Sequence, residues 1–211
     1  MFTCETCGKG FDLRQDVLDR YPGWTPKQCL DCKNGKVGAI SKPARKSSVS
    51  KTRDLTISEV LDRFTDGPDT GVFTDGASAG NPGPGGWGAV MVVEGQVVAE
   101  ERGSEDHTTN NRMEFMALIA GLKMIAVDQT IKVYTDSKLV VDTVNTWAAG
   151  WEARGWTRKT GPIKNLGLVQ EAYQLSKQRP GAEITWIPAH SGYRWNEYAD
   201  SLATAYRRSQ L

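Results

Sequence analysis

The chain has 211 residues, 39% of them hydrophobic and 24% charged, with 26 Lys+Arg against 25 Asp+Glu for a net charge of +1. That composition supports a buried core and excludes wholesale disorder, and the near-neutral balance excludes nucleic-acid binding by bulk charge alone. No run approaches 18 consecutive apolar residues, and the first twenty residues mix charge throughout without the apolar stretch of an export signal, so a soluble, cytoplasmic protein with no membrane contact is expected.

All four cysteines lie in the first 32 residues, as Cys4-x-x-Cys7 and Cys29-x-x-Cys32 with 21 residues between the pairs. Without a secretory signal, this spacing favours metal over disulfides, and four thiolates in two knuckles suit one tetrahedral Zn²⁺. The enclosed apolar residues (Phe11, Leu13, Val17, Leu18, Tyr21, Trp24) are too few to fold alone, so a metal would supply what the core cannot. Redox dithiols or free structural cysteines are the alternatives. The two knuckles, CETCG (4–8) and PKQCLDCK (26–33), resemble those of a zinc-ribbon family. Residues 1–35 are therefore read as a small zinc-binding domain whose partner, protein or nucleic acid, the sequence does not show.

Residues 36–69 are read as a basic flexible linker with a short helix. The stretch KNGKVGAISKPARKSSVSKTR (33–53) carries seven Lys or Arg and no acid. It can hold a nucleic-acid backbone or serve only as a solvated tether. In DLTISEVLDRF (54–64), Thr56 and Glu59 have capping-box spacing, and Leu55, Val60, Leu61 and Phe64 can form one apolar stripe. A short helix docking on the next domain is expected, with a partner-binding peptide as the alternative.

Residues 70–211 alternate strands and helices. VFTDGA (72–77) reads as a strand, and 85–94 with 96–103 as a hairpin turning at Glu94 and Gly95. A helix is expected from Asn111 to Val127, capped by Asn110 and with Glu114 in its first turn. A strand follows at 131–134, then a helix to about Trp147, an excursion over 148–162 and a helix over 163–178. A strand at 183–188 and a helix over 195–208 close the chain. The order implies an α/β fold, a mixed sheet flanked by helices.

Two of these strands end in one phrase, Phe73-Thr74-Asp75 and Tyr134-Thr135-Asp136. In open α/β sheets the ligand crevice lies beyond the carboxyl ends of the strands, where these aspartates would converge with Glu114 and Asp200. Packed carboxylates repel unless a cation sits among them, and all-oxygen ligands select Mg²⁺ or Mn²⁺, ions suited to phosphodiester hydrolysis.

The phrases FTDGASAGNPGPGGWGA (73–89), TTNNRME (108–114), YTDS (134–137) and AHSGYRWNEYAD (189–200) resemble, in order and spacing, those of type 1 ribonucleases H. The resemblance implies a ribonuclease H-like mixed five-stranded sheet, with Asp75, Glu114, Asp136 and Asp200 binding two Mg²⁺ (or Mn²⁺) and Asp75 bridging them. The implied reaction is endonucleolytic hydrolysis of the RNA strand of an RNA–DNA hybrid, leaving 5′-phosphate and 3′-hydroxyl ends. His190 would assist proton transfer or product release. Asn81, Asn110 and Asn111 would contact the minor groove, and Thr109 and Asn165 a DNA phosphate, with His107 where that pocket often has Arg. Trp147 would pack on deoxyribose, with Asn196 also among the substrate contacts, while Trp151 and Trp156 would hold together a protrusion bearing Arg154, Arg158, Lys159 and Lys164. A monomer is expected. The rival readings are an inactive adaptor, against which the intact set of four acids argues, and a DNA-cutting transposase or junction resolvase, which fits the Asn phrases and Trp protrusion less well.

Overall fold

The computed structural model describes residues 1–20, 23, 25–33 and 54–208, and divides the chain into two compact units, Met1–Thr52 and Arg53–Leu211. Most of the basic stretch (34–53), with Tyr21 and Trp24, lies outside the described residues.

In the first unit, β1 (Phe2–Thr3) pairs antiparallel with β2 (Gly10–Phe11), followed by α1 (Gln15–Arg20) and α2 (Leu30–Lys33). Neither helix buries a residue, whereas Cys4 and Cys7 are 1% and 6% exposed. The cysteines themselves are at the centre of what this unit encloses.

The second unit begins with α3 (Ile57–Arg63), whose Thr56–Glu59 capping box forms as the sequence predicts. Next come β3 (Gly71–Ser78), β4 (Gly83–Val93), β5 (Gln96–Thr108), α4 (Asn110–Met124) and β6 (Ile131–Thr135). One nearly continuous helical stretch follows: α5 (Lys138–Asp142), a π-helical turn (Thr143–Trp147) and α6 (Ala148–Glu152). The chain then forms α7 (Leu166–Gln178), β7 (Ala182–Trp186), α8 (Arg194–Ala203) and α9 (Ala205–Arg208). Among the described residues the sheet is five-stranded, in the order β5-β4-β3-β6-β7; β3 to β5 form an antiparallel meander, and β6 and β7 run parallel to β3. The mixed five-stranded sheet flanked by helices is the expected fold.

The pleat distributes neighbouring side chains to two cores. Val72 and Met91 join Phe115, Leu118 and Leu122 on the α4/α7 side, whereas Phe73, Val90 and Val92 meet Val60, Trp195 and Leu202 on the α3/α8 side. A sheet covered on both faces needs near-continuous apolar runs, as in β3 and β4. Several boundaries differ from expectation. The helix does not stop at Trp147 but continues to Glu152, and the last helix breaks at Thr204. No helix among the described residues is long and apolar enough to cross a membrane.

Candidate active site

Parallel pairing of Phe73 with Tyr134 and Thr74 with Thr135 places Asp75 beside Asp136, which follows the last residue of β6. β3 itself runs on past Asp75 to Ser78 against β4, so it does not end at the aspartate as expected. Glu114 arrives from α4 through a close approach of backbones: a Cβ on Gly76 would lie 2.3 Å from the Glu114 amide nitrogen. Only glycine permits that contact. Two expectations about this helix are corrected. Thr109, not Asn110, is the N-cap, its hydroxyl accepting from the Arg112 amide at 3.4 Å, so the helix starts at Asn110 and Glu114 falls beyond its first turn. A β-region residue with a short hydroxyl makes the better cap here, leaving the Asn110 amide free to donate to Glu114 Oε1 at 3.3 Å. Asp200 comes from α8, which packs so tightly on β4 that a Cβ on Gly88 would meet Leu202 Cβ at 2.4 Å.

One carboxylate oxygen from each of Asp75, Glu114 and Asp136 lies within 4.8 Å of the others. Asp200, from α8, adds a fourth negative charge whose repulsion reaches Asp75. Burial, then the charges of Glu114, Asp136 and Asp200, push the Asp75 carboxyl well above the usual range. Burial and Asp136 do the same to Glu114, against hydrogen bonds from Asn110 and the Gly76 amide. Asp136 and Asp200 are also raised by burial, partly offset for Asp136 by a hydrogen bond from Asn196 and for both by His190. Asn196 is 2% exposed, so its amide serves Asp136 from within. His190 is exposed, at φ 49° in the loop before α8. Among the described residues, the buried Glu114 Oε2 has no hydrogen-bond partner. An orphaned carboxylate oxygen among raised acids fits a hard cation, which would satisfy the oxygen and relieve the repulsion together.

Sequence reasoning missed Trp186. At the end of β7 it pairs with Thr135, and its indole Nε1 donates to the Asp136 carbonyl at 3.0 Å, fixing the backbone that carries the aspartate. The only hint in the sequence is an aromatic ending a strand, and its meaning depends on the pairing with β6.

A cavity of about 160 Å³ is lined by Asn111, Trp147, Trp151, Arg158, Lys164 and Asn165, among others. Trp147 is 40% exposed with its ring 5.9 Å from that of Trp151, while Trp151 and Trp156 pack against the α4/α7 core. Asn165 precedes α7 at φ 53°, a left-handed conformation that asparagine tolerates. Asn81, in the β3–β4 turn, and His107, near the end of β5, are exposed.

In the first unit, Cys4, Cys7, Cys29 and Cys32 each place Sγ within 4.8 Å of the others, with Cys7 and Cys29 3.7 Å apart. A tetrahedron with ~2.3 Å Zn–S bonds has S···S edges of about 3.8 Å, so the donor set fits zinc. Hydrogen bonding, first from the Cys29 backbone, lowers the Cys4 thiol to about 6, whereas burial raises Cys32.

Residues 68–208 match the family model described as RNase H. The chain is 47% identical over 135 residues to a Ribonuclease H of Pseudomonas fluorescens, covering 63% of this chain and 87% of that protein. It is 46% identical over 143 residues to a Ribonuclease H of Cereibacter sphaeroides, covering 65% of this chain and 94% of that protein. Among solved structures it is similar to LC9-RNase H1, described as a type 1 RNase H with the type 2 active-site motif, at 33% identity and a TM-score of 0.56 over 70% of this chain and 76% of that one. LC11-RNase H1, solved with an RNA/DNA hybrid, matches at 26% identity and a TM-score of 0.51 over 66% of this chain and 98% of that one.

Proposed function

The chain belongs to the RNase H family and is a ribonuclease H enzyme, and we propose that it cuts the RNA strand of RNA–DNA hybrids endonucleolytically at Asp75, Glu114, Asp136 and Asp200. The convergence of these four carboxylates, with an unpartnered oxygen on Glu114, carries the reading. Two Mg²⁺ or Mn²⁺ ions held there would supply the charge that activates water and steadies the leaving oxygen, giving 5′-phosphate and 3′-hydroxyl ends.

The chain's own residues do the rest. Asp75, which meets the charge of all three other acids, would be the central holder of the ions. Asn196 and Trp186 hold Asp136, by its side chain and by its carbonyl respectively. His190, exposed at the rim, passes a proton or helps the product leave. Asn81, Asn110 and Asn111 offer amides that can both donate to and accept from 2′-hydroxyls in the wide minor groove of a hybrid. Thr109 and Asn165 take a DNA phosphate and Trp147 a deoxyribose face. Cys4, Cys7, Cys29 and Cys32 hold one Zn²⁺, and the zinc module with the basic stretch tethers substrate or a partner. The chain acts as a cytoplasmic monomer in this reading.

The test is to offer labelled hybrid, duplex DNA, duplex RNA and single-stranded RNA to the wild type and to Asp75→Asn, with and without Mg²⁺. Cleavage of the hybrid alone, by the metal-loaded wild type alone, is expected. Equal cleavage of duplex RNA, or an active Asp75→Asn, would refute the proposal. Metal analysis of the purified chain should find about one zinc per molecule.

A further inference from the structure

Seven of the ten residues of α8 are buried, although the sheet can cover only one of its faces. A helix buried almost all round needs a second cover. Residues 54–66 supply it, and they lie outside the 68–208 span that matches the family. Val60, 1% exposed, joins the core that contains Trp195, Tyr198 and Leu202, with Leu55, Ile57 and Phe64 packed beside it.

Polar contacts fasten this segment to both ends of α8. At the N-terminal end, the Arg194 guanidinium donates to the carbonyls of Phe64 and Leu61, the last turn of α3, while the Arg194 amide donates to the Asp66 carbonyl at 2.8 Å. These bonds satisfy carbonyls that a helix end leaves unpaired. At the other end, the Leu55 carbonyl accepts from Ser201 Oγ of α8 at 2.7 Å, and the adjoining α9 adds Arg208, which donates to the same carbonyl at 3.0 Å, and Arg207, which pairs with Asp54 at 2.9 Å. Asn196 and Asp200 lie between the two fastenings.

We propose that residues 54–66 brace α8 at both ends, with Arg194 as the positioning residue, and so hold Asn196 and Asp200 where the carboxylate cluster can take a divalent cation. The proposal rests on the metal-binding reading of the four acids. The physical reason is the tolerance of such sites: a ligand group displaced by a fraction of an ångström loses much of its contribution, and α8 delivers its groups as one rigid body. A lysine at 194 has no planar fork with which to reach two carbonyls, so it restores the brace only in part.

The experiment uses the full chain and Mn²⁺ alone as probe, following free Mn²⁺ by electron paramagnetic resonance without substrate. The hybrid KM and the Mg²⁺ dependence of cleavage are then measured. Arg194→Ala is expected to weaken Mn²⁺ binding about tenfold, the scale of losing charge-assisted hydrogen bonds. Excess Mg²⁺ should restore most of its kcat, with the hybrid KM unchanged. Arg194→Lys should fall between, and Thr56→Ala, which removes only the α3 cap, should shift in the same direction by less. Variants that melt at lower temperature yet bind Mn²⁺ like the wild type would overturn the proposal. If Arg194→Ala does not fold, the same comparison in Arg194→Lys and Thr56→Ala decides. Equal Mn²⁺ binding by wild type and Asp75→Asn would instead remove the metal-binding reading, and the brace's role with it.

Discussion

Each unit gathers four like groups, thiols in one and carboxylates in the other, but against different backgrounds. In the first unit, Cys4 and Cys7 are themselves central to the little that is buried, and neither helix contributes a buried residue. In the second, the acids lie beside two apolar clusters that are already closed, one on each side of the sheet. A cation among the thiols would therefore be part of folding, whereas a cation among the acids would relieve a repulsion that the fold already tolerates. Soft sulfur selects zinc and hard oxygen selects magnesium or manganese, so the two sites can fill without competing.

Asp75→Asn breaks the comparison most sharply, because it should move activity and stability in opposite directions. Hybrid cleavage should fall by about 10²-fold or more, the scale of losing a central electrostatic group. The metal-free protein should melt higher, since a buried like charge is gone; calorimetry alongside the cleavage assay checks both. Cys7→Ser should instead lower the stability of the first unit. Hydrogen exchange should show residues 1–33 unprotected, as expected when a structural zinc worth roughly 10 kcal/mol is lost, with the melting of the second unit unchanged.

pH sharpens the same contrast. The folded carboxyls of Asp75, Glu114, Asp136 and Asp200 are all raised above ordinary values of 3.8 to 4.5. The stability they confer is full below those values and is lost as pH rises through the raised ones. The metal-free melting temperature should therefore fall over that climb, and saturating Mg²⁺ should flatten the curve. The smallest effect belongs to Trp186→Phe, which keeps the ring but removes the donor to the Asp136 carbonyl. Activity should drop several-fold, about 1 kcal/mol for one hydrogen bond, at nearly unchanged melting temperature.

What could be read from the sequence follows the physics of each element. β3 and β6 were legible through their runs of β-branched and aromatic residues before Asp75 and Asp136, although β3 continues past Asp75 to Ser78 because its ladder with β4 does not stop there. β5 runs five residues beyond the expected Gly103, to Thr108. Its outer half, SEDHT, has no apolar alternation, since an exposed edge strand is held by its ladder to β4 and not by burial. The stretch 148–152 falls in the excursion expected over 148–162, where glycines and two tryptophans, Trp151 and Trp156, suggest irregular chain, yet packing of Trp151 on the core carries the helix through a π turn. The four acids stood out through the phrases around them. Trp186, Asn196 as a partner of Asp136, and the brace on α8 did not, because each depends on a pairing between segments far apart in the chain.

The most direct measurement is anomalous scattering from Mn²⁺-soaked crystals of the full chain with bound hybrid. Density for two ions among Asp75, Glu114, Asp136 and Asp200, beside the RNA strand, is the expected result. Ions held elsewhere, with these four side chains ligating nothing while the crystals still cleave hybrid, would contradict it.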